Sequence, residues 1–404
     1  MSRFPFRLIG SSVLGAALLA LAIPAANAST GPALRIAPSA AATGVNDNFN
    51  ANSCVSSNFC MALGNYTVSG HAIGLAEKLS GGTWVTETVP SPAHGWNVYA
   101  NEVVCASSSS CLFVGQHWAG KNGPSGNLAE YWNGSSWRIV TAPAPTSSAA
   151  SALGDVACPS TRFCLAVGEA GPRNRYQAAA YTLKNGTAWR RITLPRPRAA
   201  RNSELGGLAC FSPTNCMAVG NYHNKAGRYL PFAERWRGGR WQLLTTPALT
   251  GQYFTQFQGI SCPTATLCVA VGNTEDNTSD GNYHAFAEVW SGGKWRVSTL
   301  RRQASAFLGV SCPTRNRCFA AGYTFPANTA HSLIETWNGR SWTTQRTVQT
   351  AAPYPGGDFM HVSCAGRSNC EAVGFRFNPT SNAERTLAEK WNGSRWALQT
   401  TVNP

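Results

Sequence analysis

Acidic residues are scarce in this 404-residue chain: 18 Asp and Glu stand against 33 Lys and Arg, giving a formal charge of +15, and only 13% of residues are charged. So small a charged fraction, beside 14 Trp and 39 Gly, excludes an intrinsically disordered chain. After the first 28 residues no apolar run approaches the ~20 residues that a membrane-spanning helix needs. There is no Gly-x-Ser-x-Gly, no His-Glu-x-x-His and no phosphate loop, so the motif-borne hydrolases, metalloproteases and nucleotidases are not indicated. At roughly 100 to 200 residues per domain, length alone suggests two or three domains.

What is present begins with an export signal. Residues 1–28 carry Arg3 and Arg7, an apolar stretch from Leu8 to Ile23, and Ala26-Asn27-Ala28 as a small-x-small cleavage site. The stretch is broken by Gly10, Ser11 and Ser12, and it has neither a lipid-accepting Cys nor a twin-Arg pair, so a secreted, extracellular protein of charge +13 is expected. In an oxidising compartment the cysteines read as disulfides.

The 14 cysteines fall into seven pairs with five residues between partners: Cys54 with Cys60, Cys105 with Cys111, Cys158 with Cys164, Cys210 with Cys216, Cys262 with Cys268, Cys312 with Cys318, and Cys364 with Cys370. Their first members recur about every 52 residues. Four residues after each second Cys stands a glycine, at 64, 115, 168, 220, 272, 322 and 374. Farther along each unit comes a block such as Ala287-Glu288-Val289-Trp290-Ser291-Gly292-Gly293-Lys294-Trp295, and these blocks hold 12 of the 14 Trp. Each unit reads as four short strands. The first two form a hairpin that sets the cysteines face to face within disulfide reach, and the last two flank the Trp segment, where Asn133-Gly134, Asn338-Gly339 and Asn392-Gly393 suit a tight turn.

Four-stranded units of this length, seven times over, resemble the blades of a β-propeller. An open solenoid would need a polar outer face on its end repeat, yet the last unit keeps Ala372-Val373-Gly374, Leu387-Ala388, Trp391 and Trp396. The resemblance implies an all-β fold, a single seven-bladed propeller of four-stranded antiparallel blades with one disulfide each. Its blades would lie at about 44–92, 93–146, 147–199, 200–250, 251–302, 303–353 and 354–404, after a tail at 29–43 in which Leu34 to Ile36 could add an edge strand. The Gly-x-x-Trp half of the Trp hairpin is similar to the Asp-box of sialidase-like propellers, but Trp or Leu replaces the Asp, as in Trp132-Asn133-Gly134 and Leu79-Ser80-Gly81. The Trp spacing also resembles kelch blades, although only three units carry the Gly-Gly doublet.

Most repeated residues read as scaffold. A metal site would require cysteine pairs to combine, and a redox pair usually has two intervening residues, so seven structural disulfides are expected, each stabilising by roughly 2 kcal/mol through loop closure. Glu77, Glu130, Glu234, Glu288, Glu335 and Glu389 share one strand position, taken by Tyr181 in the third unit, and are expected to accept hydrogen bonds within their own blades. The repeated Trp read as packing between blades.

Function is then expected on the face carrying the variable loops, opposite the Cys and Trp hairpins. Candidate contacts there are Trp96, Tyr99, His117, Trp118, Tyr176, Tyr222, His223, Tyr229, Tyr253, Tyr283, His284, Tyr323, His331, Tyr354 and Arg376, with a basic arc that includes Arg173 and Arg175. Arg190, Arg191, Arg196, Arg198 and Arg201 extend that arc. It suits an extracellular polyanion, a cell-wall glycan, membrane head groups or a surface protein, and no nucleic-acid motif accompanies it. The position three before each first Cys reads Ala51, Glu102, Asp155, Gly207, Gly259, Gly309 and His361, and an innermost strand would turn it to a channel. The leading expectation is a monomeric binding or scaffold propeller without chemistry. The alternative is a glycan-active hydrolase or lyase using Glu102, Asp155 and His361. No cofactor is expected; calcium is conceivable at Glu275, Asp276, Asn277 and Asp280, where no established loop spacing is met.

Overall fold

The computed structural model describes residues 46–404 except positions 93–95, 120–124, 141, 143–149, 173–174, 187, 248, 250, 277–282, 327–328, 349, 351 and 404. The export signal, the tail with Leu34 to Ile36, Arg173, Asn277 and Asp280 fall outside the described residues.

Among the described residues there is no α-helix, and the repeats fold as antiparallel strands hydrogen-bonded in sequence order. In the first repeat the strands are Asn48–Ser56, Phe59–Val68, His71–Ser80 and Thr83–Glu87. The first, second, third and seventh repeats are separate four-stranded sheets. The fourth to sixth merge into one 11-stranded sheet by two joins: a single parallel bridge between Tyr229 and Phe254, and one long strand, Lys294–Thr314. That strand pairs with Tyr283–Ser291 along its first part and with Arg317–Thr324 along its second.

The first strand of each repeat is innermost. Those strands, from Asn48–Ser56 through Trp96–Ser107, Ala150–Ser160, Ala200–Ser212, Gln252–Thr264 and the end of Lys294–Thr314 to Gly356–Gly366, lie each against the next, and the last lies against the first. A serine hydroxyl stitches several junctions by accepting the N–H of the next repeat's first cysteine: Ser53 from Cys105 at 2.9 Å, Ser261 from Cys312 at 3.0 Å and Ser311 from Cys364 at 3.1 Å. The same device closes the ring, with Ser363 accepting from Cys54 at 2.9 Å. Around that seam the Asn52 amide donates to Glu371 O at 2.9 Å, Trp84 Nε1 donates to Gln399 at 2.9 Å, and Arg385 pairs with the buried Asp47.

All seven expected disulfides are formed across the first hairpins, with Cα atoms 3.9 to 4.1 Å apart: Cys54 to Cys60, Cys105 to Cys111, Cys158 to Cys164, Cys210 to Cys216, Cys262 to Cys268, Cys312 to Cys318, and Cys364 to Cys370. Each second cysteine also faces the third strand, where Cys111, Cys216, Cys268, Cys318 and Cys370 stand opposite the first Trp of their repeats, Cys60 opposite Leu79 and Cys164 opposite Leu183. The bridge therefore ties the edge of the sheet to its apolar core. In five of the second hairpins two Trp stand directly opposite, as at Trp132 and Trp137 with ring centroids 5.7 Å apart, which pack onto Ala51, Met61 and Leu63 of the preceding repeat; in the first and third, Leu79 and Leu183 face Trp84 and Trp189. At the Asn-Gly turns glycine alone has positive φ, 98 to 101° at Gly134, Gly339 and Gly393, while each Asn side chain accepts backbone N–H groups of the turn.

The invariant glycine of each repeat has a steric cause. Every inner strand carries an extra residue in its pairing with the second strand: Asn50, Asn101, Gly154, Gly206, Gln258, Leu308 or Met360. This β-bulge drives a carbonyl oxygen onto the facing glycine. A Cβ at Gly64, Gly115, Gly168, Gly220, Gly272, Gly322 or Gly374 would lie 1.7 to 2.1 Å from that oxygen.

The repeated Glu are buried, and their hydrogen bonding corrects the expectation of bonds within each blade. Glu335 does accept from Thr344 of its own repeat, at 3.2 Å. Glu77 and Glu389, however, accept across junctions, from Val402 N at 3.1 Å and Val348 N at 3.0 Å. Both donors stand six residues after the second Trp of the preceding repeat. The corresponding residues before Glu130, Glu234 and Glu288 are Pro90, Pro195 and Pro247, which have no N–H, and both carboxyl oxygens of those three Glu lack partners. Glu234→Met is therefore expected to leave stability unchanged or raise it by about 1 kcal/mol, whereas Glu77→Met costs about 1 to 3 kcal/mol by orphaning Val402 N. Urea unfolding of the two variants checks the difference in sign.

Candidate functional site

The inner strands enclose a cavity of about 730 Å³. All seven bulge residues line it, together with Glu102, Asp155, Gly259 and His361. The bulge thus brings two consecutive residues of each of these inner strands toward the cavity, and sequence reasoning, which singled out one, missed Asn50, Asn101 and Gln258. The repeated glycine was the available signal, since it marks where the pairing slips.

The bore is lopsided. From the fourth repeat to the seventh the inner strands crowd together: a Cβ on Gly207 would lie 3.3 Å from Gly259 Cα, one on Gly259 3.4 Å from Gly309 Cα, and one on Gly309 3.0 Å from His361 Cα. The first to third repeats supply the polar side instead. Asn50 Nδ2 donates to Asn65 Oδ1 at 3.0 Å and to Ala100 O at 2.7 Å, and Asn101 Nδ2 donates to Leu153 O at 2.8 Å.

Glu102 and His361 meet across this space, with His361 Nε2 3.5 Å from Glu102 Oε2. The two side chains keep 23% and 15% of their surface for His361 and Glu102 respectively, so the cavity reaches both. His361 Nδ1 lies 2.9 Å from Asn52 Oδ1 and 3.4 Å from Asn52 N. Asn52 thus engages Nδ1 through both its backbone N–H and its side-chain oxygen, and Nε2 is the nitrogen that faces Glu102. Burial lowers the imidazole to about 4, and burial together with the nearby Asp155 raises Glu102 well above the usual carboxylate range. Burial thus pushes both members of the pair toward their uncharged forms.

Asp155 is differently placed. Its Oδ1 accepts from Val156 N and its Oδ2 from Leu208 N, both at 2.5 Å, so the side chain braces the junction of the third and fourth repeats. Burial still raises it to about 8 against those two hydrogen bonds.

Strand direction places the ends of the second strands and the starts of the first and third at one end of the ring, away from the Cys and Trp hairpins. Tyr99 and Trp118 stack there at 4.7 Å, as do His223 and Tyr229, and Tyr229 continues through Phe254 at 5.1 Å to Tyr283, 6.3 Å beyond. Arg376 lies 5.4 Å over Tyr354, Tyr253 is exposed, and Arg175 is exposed as well. Of the aromatic and basic candidates only Tyr99 and Tyr323 line the cavity. Tyr222 packs edge-on to Phe232 within its own repeat, His117 is half-buried, Trp96 opens its strand opposite Ala119, and His331 opens its own opposite Thr324. Burial and the nearby charges of Glu204 and Glu169, which sequence reasoning did not identify, raise Tyr176.

In the acidic segment His284 Nε2 lies 3.4 Å from Asp276 Oδ2, and Gln252 Nε2 donates to Asp276 Oδ1 at 2.5 Å. Among the described residues no three His, Cys, Asp or Glu gather as a metal-binding group.

No family model and no curated protein matches the chain. Solved structures do. Ulvan lyase, a polysaccharide lyase bound to GlcA(1-4)Rha3S units, superposes with a TM-score of 0.60 over 88% of this chain and 97% of its own, at 9% identity. The fold is a β-propeller. A xyloglucanase from Xanthomonas campestris gives 0.54 over 87% of this chain and 55% of its own, at 11% identity, and an acylaminoacyl peptidase from Pyrococcus horikoshii gives 0.50 over 88% and 52%, at 8% identity. At such identities the likeness is one of fold alone, and this chain matches only about half the length of the last two.

Proposed function

We propose that this chain is a secreted, seven-bladed β-propeller, one blade per repeat, that binds an acidic extracellular glycan at the cavity mouth without turning it over. The observation that carries the reading is the polar, amide-rich lining of the cavity. Burial pushes its carboxyls Glu102, Asp155 and Asp358 toward the neutral form and the amides of Asn50, Asn101 and Gln258 stand beside them, so an anionic sugar meets hydrogen-bonding groups, with Glu384 the remaining carboxyl of the lining. Twelve of the chain's eighteen acids have raised pKa values, which makes the secreted chain more positive than its formal +13 near neutral pH. A positive field draws in polyanions, and stacked aromatics at the rim offer faces to sugar rings. The uronate named with ulvan lyase supports the choice of an acidic glycan. Seven disulfides suit an oxidising, extracellular setting, and among the described residues no helix is long and apolar enough to cross a membrane.

The test is retention on immobilised uronate polysaccharides. Binding is expected at low salt, weakening steeply as salt rises, with at least a tenfold loss for the double variant Asn101→Ala, His361→Ala. No retention of the wild-type protein at low salt on any acidic glycan would sink the reading.

A second reading is favoured by one feature, the approach of His361 Nε2 to Glu102 at 3.5 Å: a lyase or hydrolase acting on the same glycan. Asp155, with both oxygens engaged, weakens the two-carboxylate hydrolase form. Incubation with the bound polysaccharide, followed for new reducing ends and for unsaturated uronate, decides between them. Turnover that disappears in His361→Ala establishes the enzyme, and no turnover above the blank leaves the binding protein.

A further inference from the structure

We propose that Phe325, Phe375 and Phe377 form a sugar-ring platform at the cavity mouth, and that stacking on these rings decides which of two equally charged acidic glycans the protein prefers. The platform presupposes the glycan reading and adds to it the residues that select.

Its origin is a change of chemistry within the repeat. The residue after the repeated glycine is polar in the first five repeats, as Asn65, Gln116, Glu169, Asn221 and Asn273, and aromatic in the last two, as Tyr323 and Phe375. Two positions farther on, both of these repeats carry Phe, at 325 and 377. Side chains alternate along a strand, so Phe375 and Phe377 share one face of Asn369–Phe377. Phe325 stands just past the strand Arg317–Thr324 and keeps its register by donating its N–H to Ala304 O at 2.9 Å. It packs edge-on against the buried Tyr323, with ring centroids 5.2 Å apart.

All four rings line the cavity, and the three Phe are half-buried. Among the described residues they are not what holds the repeats together. The apolar cluster between the sixth and seventh repeats runs through Phe319, Ile334, Phe359 and Leu387, the one between the seventh and the first runs through Phe49, Leu75 and Val373, and neither includes any of the four. The lining is uneven in the same sense. In the second, third and fourth repeats it comes from the inner strand alone, whereas in the sixth, seventh and first it also reaches the second strand. There the first repeat contributes Asn65 and Thr67. A mouth that combines aromatic rings with amide and hydroxyl groups fits a pyranose, whose C–H face is apolar and whose edge carries hydroxyls. The rings bear no charge, so they discriminate by the shape of the sugar face.

Two homopolymers with one carboxylate per ring isolate that discrimination. Glucuronate in β-1,4 linkage keeps its ring substituents equatorial and presents C–H faces, whereas α-1,4-linked guluronate carries axial oxygens on both faces. As sodium salts at low ionic strength, wild type is expected to bind polyglucuronate at least about fivefold more tightly than polyguluronate. The double variant Phe325→Leu, Phe377→Leu keeps charge and apolar bulk; it should lose the preference while holding polyguluronate as wild type does, which also shows that it folds. Phe325→Tyr, Phe377→Tyr keeps the rings and should keep the preference. Equal binding of the two polymers by wild type, or a preference that survives in the Leu variant, overturns the platform and leaves the glycan reading standing. A Leu variant that binds neither polymer overturns it too, since the rings would then be structural. Retention of neither polymer by wild type removes the platform together with its choice of an acidic glycan.

Discussion

Lowering the pH from 8 to 5 is expected to raise the melting temperature by about 10 °C or more. Most globular proteins lose stability toward acid because their paired carboxylates must be protonated. Here the sign reverses. Burial pushes Glu234 and Glu288 up to about 8, Glu371 and Glu389 to about 7, and Asp358 to about 7, against ordinary values near 4. A carboxyl with a raised folded-state pKa holds a proton that the unfolded chain has released. Its contribution is fully present below the unfolded value and is lost as pH climbs through the folded one. A single group raised from 4.5 to 7 accounts for about 3 kcal/mol between those limits. Twelve such groups share junctions and do not add independently, yet even two or three amount to several kcal/mol against a usual total of about 5 to 15. His361 is lowered to about 4, below its ordinary 6.5, and so works in the opposite direction: the unfolded chain takes up its proton first, and what it contributes falls away between 6.5 and 4. One imidazole does not offset the acids, and the optimum lies near pH 4 to 5. Differential scanning calorimetry across pH 4 to 9 checks this, and a melting temperature that climbs from pH 5 to 8 would contradict the buried, protonated ring of acids.

The second large effect is steric. Gly220→Ala is expected to cost about 3 kcal/mol or more, at the upper end of what overpacking does, because its Cβ would sit 2.0 Å from Glu204 O. The obstacle is backbone held in a bulge, so neither a rotamer change nor a small side-chain shift relieves it. Gly366 provides the control: nothing lies within 4 Å of where its Cβ would stand, and its φ is not positive. Gly366→Ala should be neutral or slightly stabilising, since alanine narrows the unfolded ensemble. Parallel urea melts of the two variants separate the bulge from a general intolerance of glycine replacement. Equal stability for both would remove the steric account of the seven-fold glycine.

Much of this molecule was legible in the chain because its information repeats. Cys pairs at fixed spacing face each other in a hairpin, and Trp pairs around Asn-Gly or Gly-Gly turns make a second hairpin, so strand order follows from local chemistry. The glycine after each pair was equally visible, but its reason was not. A bulge is a slip between two strands, and no single strand records it; Asn50, Asn101 and Gln258 were therefore passed over while Glu102 and His361 were noticed. The repeated glutamates show the same boundary. Their shared position was plain, yet whether each finds a donor depends on a proline in the preceding repeat, about 40 residues away in sequence.

The scarcity of acids has the same two layers. Composition alone established that this chain is basic, repetitive and rich in paired Cys and Trp, because those are sums and spacings along one dimension. Only the folded ring decided what the few acids do. Closing it drew twelve of them out of water and set Glu102 against His361 and Glu169 against Glu204, across junctions that join residues from different repeats. Charge that counts as negative in the sequence is pushed toward the neutral form in the fold, since desolvation depends on what surrounds a group and not on where it stands in the chain.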